Sequence, residues 1–252
     1  MKRFRLAYDD NLGLPKDFLD DLNRSFNSDS KIHFQAEAFH DIGELIRAFD
    51  RREIALAFLP AGCLPYLRSS YGVFAEASFG PFRPEALRSV LRTRLIDSRM
   101  SLEELTSRRI GCVNRYCTTS YWAPMILLSA NVSRPKSTID FVQLDGFDDM
   151  IAAVVDGRID GAMIWEAVME HHPEFEGVLS NGVGINDLPA PLLIGNELLE
   201  EEIQEGLKLL MENYQNSKWN GYFKALKAPD ISRLQLFEKS IMHAKKVFGL
   251  GF

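Results

Sequence analysis

The first 60 residues carry a regular succession of apolar patterns. Residues 4–8 are apolar except for Arg5, and residues 32–36 alternate between apolar and polar positions; both patterns are typical of strands. Apolar residues recur every three to four positions in 18–26 and 42–49, which predicts two amphipathic helices. Residues 54–59 are continuously apolar, as in a strand buried on both faces. The order predicts a βαβαβ unit.

The same succession returns later in the chain. Strands are predicted at 110–113, 141–144 and 161–165, with helices at 122–128 and 148–155 between them. Two similar βαβαβ halves predict an α/β fold in two lobes, each a mostly parallel sheet flanked by helices.

We expect lobe 1 to comprise residues 1–86 and 187–252, with C-terminal helices packed back on it. Residues 87–186 form lobe 2, and two crossing segments join the lobes. A hinge between such lobes would allow closure about a ligand.

Composition narrows the class of protein. The 252 residues are 46% hydrophobic and 25% charged, with a net charge of −6, which is ordinary for a globular protein and argues against nucleic acid as a partner. No apolar run approaches the roughly 18 residues of a membrane helix, so no direct membrane insertion is expected. The N-terminus has positive charge but no apolar segment behind it. This predicts a cytoplasmic protein for the chain as written, and a periplasmic one if the sequence is a mature form.

The three cysteines indicate neither a full set of disulfides nor a metal site. Cys63, Cys112 and Cys117 cannot all pair, and their spacing suits no metal site. The sequence predicts neither a metal nor a cofactor.

The most informative segment is a cluster of small hydroxyl residues between a predicted strand and a predicted helix. Thr118, Thr119 and Ser120 follow the strand 110–113 and precede the helix 122–128. A helix start offers unpaired backbone N–H groups and the positive end of the helix dipole, and hydroxyl groups add donors that can rotate toward an oxyanion. The cluster therefore indicates an anion site, although Thr118 or Thr119 could instead cap the helix.

The same segment resembles a motif of the phosphonate-binding members of the periplasmic solute-binding protein superfamily. There a strand leads into Ser-Thr-Ser-Gly-Tyr-x-x-Pro, and here the register reads Cys117, Thr118, Thr119, Ser120, Tyr121, Trp122, Ala123 and Pro124. Cys117 replaces a serine and Ser120 replaces the glycine. Gly157 to Ala162 also resembles the Gly-x-x-Asp-hydrophobic-Ala of the family. The resemblance implies the two-lobed type II fold, a small anionic ligand in a cleft between the lobes, and an ABC transporter permease as partner.

Further ligand-binding candidates follow other predicted strands. They are Tyr8 after the first strand, Asp145 after 141–144 and Glu166 after 161–165. Ligands of open α/β sheets bind beyond the carboxyl ends of strands, which favours these positions. Cys117 and Tyr121 complete the predicted set around the hydroxyl cluster. Glu166 could bind a ligand ammonium group, whereas a polar turn or a surface helix is the plainer interpretation of these residues.

An enzyme is the alternative to a binding protein. Cys117 at a helix start could act as a nucleophile if a histidine lay nearby. Pyrimidine synthases of thiamine biosynthesis and dehydratases of menaquinone biosynthesis have a similar fold, but the chain lacks the cysteine-rich run of the former. We therefore expect a solute-binding protein for a phosphonate, phosphate ester or other oxyanion, serving an ABC transporter or acting as a sensor.

Overall fold

Eleven strands and eight helices make up the computed structural model, which describes residues 2–12, 14, 17–27, 32–78, 87–97, 101–132, 139–212, 214 and 223–250. The strands are β1 (Lys2–Asp9), β2 (Ile32–Phe39), β3 (Leu56–Leu59), β4 (Tyr71–Ser78), β5 (Leu87–Arg92), β6 (Arg109–Cys112), β7 (Asp140–Gln143), β8 (Gly161–Trp165), β9 (Gly184–Leu188), β10 (Leu192–Asn196) and β11 (Ala225–Lys227). The helices are α1 (Phe18–Asn27), α2 (Ile42–Asp50), α3 (Leu102–Leu105), α4 (Ala123–Asn131), α5 (Phe147–Val155), α6 (Glu166–Met169), α7 (Glu201–Met211) and α8 (Ile231–Phe248).

The strands form two sheets built on the same plan. The first has the order β11-β4-β10-β3-β1-β2 and the second the order β7-β6-β8-β5-β9. In the first, β1 lies between β2 and β3 and runs parallel to both; in the second, β6 lies in the same way between β7 and β8. The remaining strands add on antiparallel. The predicted α/β fold class is confirmed, with parallel pairing limited to these two groups of three strands.

Two compact units contain the two sheets. Unit 1 comprises residues 1–85 and 190–231, and unit 2 comprises residues 86–189 and 232–252. Almost all of α8 therefore belongs to unit 2, whereas the sequence analysis assigned 187–252 to lobe 1. The chain passes between the units three times instead of the expected two. The apolar stripe of α8 predicts a buried face but not the sheet that covers it. Residues 79–86, where the first crossing was expected, lie outside the described residues.

A buried carboxylate holds two of these passages in unit 1. Glu76 of β4 is fully buried; its Oε1 accepts a hydrogen bond from the Ala190 N–H at 3.0 Å and its Oε2 one from the Asp230 N–H at 3.3 Å. Ala190 follows the second passage and Asp230 precedes the third. Burying a carboxylate is costly unless hydrogen bonds compensate for its lost hydration, and these backbone donors do so.

The packing of β6, the middle one of the three parallel strands in unit 2, depends on the small size of Gly111. A Cβ atom on Gly111 of β6 would lie 2.5 Å from Ile159 Cδ1 and 2.9 Å from Met150 Cγ. Both neighbours are fully buried and Met150 belongs to α5. The missing side chain therefore lets α5 pack directly on β6.

We predict that Gly111→Ala lowers the free energy of unfolding by about 1–3 kcal/mol, because overpacking forces buried neighbours to move. Chemical denaturation of both proteins measures the difference. Gly146→Ala is the matched control, since among the described residues no atom outside Gly146 and its chain neighbours lies within 4 Å of the added Cβ, and its φ of 170° is extended backbone. Equal stability of the two variants would contradict the packing account.

A histidine between two carboxylates joins the segment after β8 to the start of α5. His172 Nε2 lies 3.1 Å from Asp148 Oδ1, and its Nδ1 lies 3.0 Å from Glu174 Oε1. The hydrogen bond with Glu174, followed by that with Asp148, raises the pKa of His172 above its ordinary value of 6.5. The protonated imidazole is therefore favoured by folding.

We expect this stabilisation to be complete below pH 6.5 and to disappear as the pH rises through the raised pKa of folded His172. The stability difference between the native protein and His172→Gln should then be larger at about pH 6 than at about pH 8.5, as measured by denaturation at each pH. A difference that is constant across this range would show that the two carboxylates do not favour the charged ring.

Candidate functional site

The hydroxyl cluster lies at the carboxyl end of β6, the middle one of the three parallel strands in unit 2. After β6 the chain turns at Asn114, whose Oδ1 accepts the Tyr116 N–H at 2.9 Å and whose carbonyl accepts the Cys117 N–H at 3.2 Å. These bonds fix the path from the strand to the next helix. Because β6, β7 and β8 are parallel, the segments after these strands share one edge of the sheet.

The segment between β6 and α4 is a π-helical turn, Thr118–Trp122. The Cys117 carbonyl accepts hydrogen bonds from the N–H groups of Trp122 at 3.1 Å and Tyr121 at 3.3 Å. The bond to Trp122 spans five residues, so the turn is wider than in an α-helix. Sequence periodicity predicted a helix from residue 122 and did not reveal this turn. Single π-helical turns are frequent at functional sites.

Cys117 is the capping residue of this turn. Its Sγ accepts the Ser120 N–H at 3.4 Å and lies 3.5 Å from Thr119 Oγ1. The sequence is compatible with a helix cap by Thr118 or Thr119, but the cap position belongs to the Cys117 thiol. Sulfur is a weak acceptor, so this cap holds its N–H less firmly than a serine oxygen would.

The hydroxyl groups of the cluster do not have equal roles. Ser120 is fully buried, and its Oγ accepts the N–H of Val113 at 3.1 Å. This bond joins the end of β6 to the helical turn, so Ser120 is a positioning residue. Thr118 and Thr119 are each 4% exposed, which makes them the members of the cluster with residual access.

Thr119 also contributes its backbone. Within the described residues, no acceptor receives its N–H, and its carbonyl accepts a hydrogen bond from Ser89 Oγ of β5 at 3.1 Å. A buried N–H without an acceptor is rare, because leaving it unpaired costs roughly 1–3 kcal/mol. It lies at the positive end of a helix, where an anion would satisfy it.

Aromatic and cationic side chains surround the turn. Tyr121 stacks against Phe141 of β7 with ring centroids 4.7 Å apart, and burial is the main reason that its pKa is raised. Lys245 of α8 is 6% exposed, and its Nζ lies 5.8 Å from the centre of the Trp122 ring. Burial lowers the pKa of this ammonium group. The C-terminal helix thus brings a positive charge beneath the turn, which sequence reasoning missed because about 120 residues separate the two segments.

The two cysteines near the turn differ in character. Cys112 is buried at the end of β6, and burial, reinforced by the neighbouring Cys117, raises the pKa of its thiol to about 12. It is therefore a neutral core residue at ordinary pH. Cys117 is partly exposed.

The other predicted residues lie in three places. Asp145 is exposed between β7 and α5, on the edge of the sheet that carries the hydroxyl cluster. Glu166 follows β8 on that edge, but its carboxylate pairs with Arg88 at 2.8 Å. Tyr8 is half-buried near the end of β1 in unit 1. The structure thus brings the candidates of unit 2 to one edge and leaves Tyr8 on the other unit.

Asp9, the last residue of β1, is a stronger candidate for a binding residue than Tyr8. It is buried, and its Oδ1 accepts the backbone N–H of Asn11 at 3.1 Å and the side-chain amide at 3.2 Å. Burial raises the pKa of this carboxyl group. A polar residue that interrupts an apolar strand pattern at its carboxyl end was the available sequence signal.

Comparisons with known structures support the fold. A protein from Xanthomonas citri bound to ATP superimposes with a TM-score of 0.78 at 13% identity, over 98% of both chains. The binding protein component of an ABC phosphonate transporter from Pseudomonas aeruginosa gives 0.72 at 16% identity, over 98% of this chain and 87% of the other. PhnD1 from Prochlorococcus marinus, in complex with methylphosphonate, gives 0.70 at 15% identity, over 97% and 99%. These superpositions establish a shared fold, that of the two-lobed periplasmic binding proteins.

Comparison with curated protein sequences found no significant match. The profile of the phosphonate periplasmic substrate-binding proteins of ABC transporters matches residues 16–230, which is most of the chain. The predicted resemblance is therefore confirmed, and the family match gives the enzymatic alternative no support. The chain belongs to the family of phosphonate periplasmic substrate-binding proteins of ABC transporters.

Proposed function

We propose that the protein binds a small phosphonate or phosphate ester and holds its oxyanion at the π-helical turn. Thr118 and Thr119 donate their hydroxyl groups, the Thr119 backbone donates its N–H, and Cys117 and Tyr121 border the ligand. Ser120 keeps the turn in place. The observation that carries the proposal is the buried Thr119 N–H at a helix start, which has no acceptor in the described part of the chain.

The ligand class rests on chemistry that two structural relatives share. PhnD1 was crystallised with methylphosphonate and the Xanthomonas citri protein with ATP, and both ligands carry phosphorus–oxygen anions. Neutral hydroxyl and amide donors suit such a group, because they neutralise charge by hydrogen bonds as it leaves water. Sulfonates and carboxylates are the competing anions. Asp145, Glu166 and Tyr8 remain candidates for the rest of the ligand.

The family assignment gives the proposal its biological setting. Members serve ABC transporters in the periplasm, so we propose delivery of the ligand to a permease, with sensing as the alternative. Within the described residues, every helix is too short or too polar to span a bilayer. Cell fractionation distinguishes a periplasmic location from the cytoplasmic one predicted from the N-terminal residues.

Replacing either threonine by valine should weaken ligand binding. Loss of one hydroxyl that bonds a charged group costs roughly 1.5–3 kcal/mol, so Thr118→Val and Thr119→Val should each lower the affinity for methylphosphonate by about ten- to a hundredfold. Isothermal titration calorimetry measures the affinity. Valine keeps the shape of threonine, which limits changes in packing.

Ser129→Ala serves as the control, because among the described residues Ser129 Oγ bonds only the carbonyl of Ile126 within α4. Its affinity should equal that of the native protein. Unchanged affinity in both threonine variants, together with lower melting temperatures, would mean that these hydroxyls only stabilise the fold.

Ser120→Ala should act mainly on stability. It removes the acceptor of the buried Val113 N–H, and an unpaired buried N–H costs about 1–3 kcal/mol. We expect this loss in denaturation of the ligand-free protein. A variant with native stability but lost affinity would instead make Ser120 a direct ligand contact.

A further inference from the structure

A second cationic group of unit 2 lies buried outside the proposed ligand turn. Arg92, the last residue of β5, is only 8% exposed. No described residue accepts a hydrogen bond from its buried Nε, and its guanidinium forms no ion pair with them. Burial lowers the pKa of this group, since removal from water disfavours its charged form. A buried donor without an acceptor is costly, so the unpaired Nε indicates an acceptor that the described residues do not supply.

The acidic residue that interacts with Arg92 is already engaged. Glu166 interacts electrostatically with Arg92, but its carboxylate Oε1 accepts a hydrogen bond from Arg88 Nη1 at 2.8 Å. Arg88 in turn repels Arg92. Two guanidinium groups thus share one carboxylate, and the cluster of Arg88, Arg92 and Glu166 carries a net charge of +1. One additional negative charge would balance it.

The strand geometry separates Arg92 from the hydroxyl turn. Ser89 faces the turn, because its Oγ bonds the Thr119 carbonyl. Arg92 is three residues further along β5, and successive side chains point to opposite faces of a strand. It therefore lies on the other face of the sheet and about 10 Å further along the strand. It pairs with Ala162 near the start of β8, whereas Ser89 pairs with Trp165 at its carboxyl end.

We propose that Arg92 binds a small monoanion of the carboxylate type at a second site on this face of unit 2. A guanidinium group presents parallel N–H donors that match the two oxygens of a carboxylate. A single negative charge offsets the excess charge of the cluster. The proposal does not rest on the proposed function, since Arg92 lies on the other face of the sheet from the Ser89 hydroxyl that reaches the turn.

Acetate is a suitable probe for this site. The melting temperature of the native protein should rise with sodium acetate at constant ionic strength and then saturate. At ten times Kd, binding would favour the folded state about elevenfold. Arg92→Gln should abolish the rise. Arg108→Gln, which removes an exposed arginine elsewhere in unit 2, should retain it.

Three further measurements keep the result unambiguous. The double variant Thr118→Val, Thr119→Val should keep the full response, because the second site does not involve the turn. If this variant loses the response and Arg92→Gln keeps it, acetate binds at the turn and the second site is refuted. No response in the native protein would show that Arg92 is only hydrated. Should Arg92→Gln fail to fold, Arg92→Lys should bind acetate at a higher midpoint, and an unchanged midpoint would overturn the proposal.

Discussion

The hydrogen bond from the Val113 N–H to Ser120 Oγ fixes the geometry on which the site depends. Val113 directly follows β6, and Ser120 lies in the π-helical turn that precedes α4. The bond therefore fixes the path of the chain from the strand to the helix. The Cys117 cap, the first residues of the widened turn and the donors of Thr119 all lie within this closed stretch of eight residues. Since neither end can move independently, the donors are held in place before a ligand arrives, which lowers the entropic cost of binding.

Two strands and the C-terminal helix contact the π-helical turn. Ser89 reaches it from β5, Phe141 packs against Tyr121 from β7, and Lys245 approaches Trp122 from the C-terminal helix. A loop held only by its own residues could change conformation at little cost. Here a change would break contacts with three separate elements, so the rigidity of the turn derives from the whole of unit 2.

Sequence periodicity was sufficient for the alternation of strands and helices, because the side-chain repeats of two and 3.6 residues are local properties. It also located the hydroxyl cluster, since Thr118 and its neighbours interrupt an apolar pattern. The cap by Cys117 was not predictable, because serine, threonine and cysteine compete for such positions by fine geometry. Lys245 was missed for another reason: the apolar stripe of α8 does not reveal which sheet it covers, and that information exists only in the tertiary structure.

The division of each unit into two segments has a consequence for synthesis. Strand β10 lies between β3 and β4, so the first sheet lacks an inner strand until the ribosome has translated all of residues 86–189 and then β10 itself. Unit 2 in turn receives its last helix from residues 232–252. Unit 1 is therefore complete only after residue 231, and unit 2 only after this last helix has been synthesised. The nascent protein therefore carries unpaired strand edges for most of translation, which is when such edges are most exposed to aggregation.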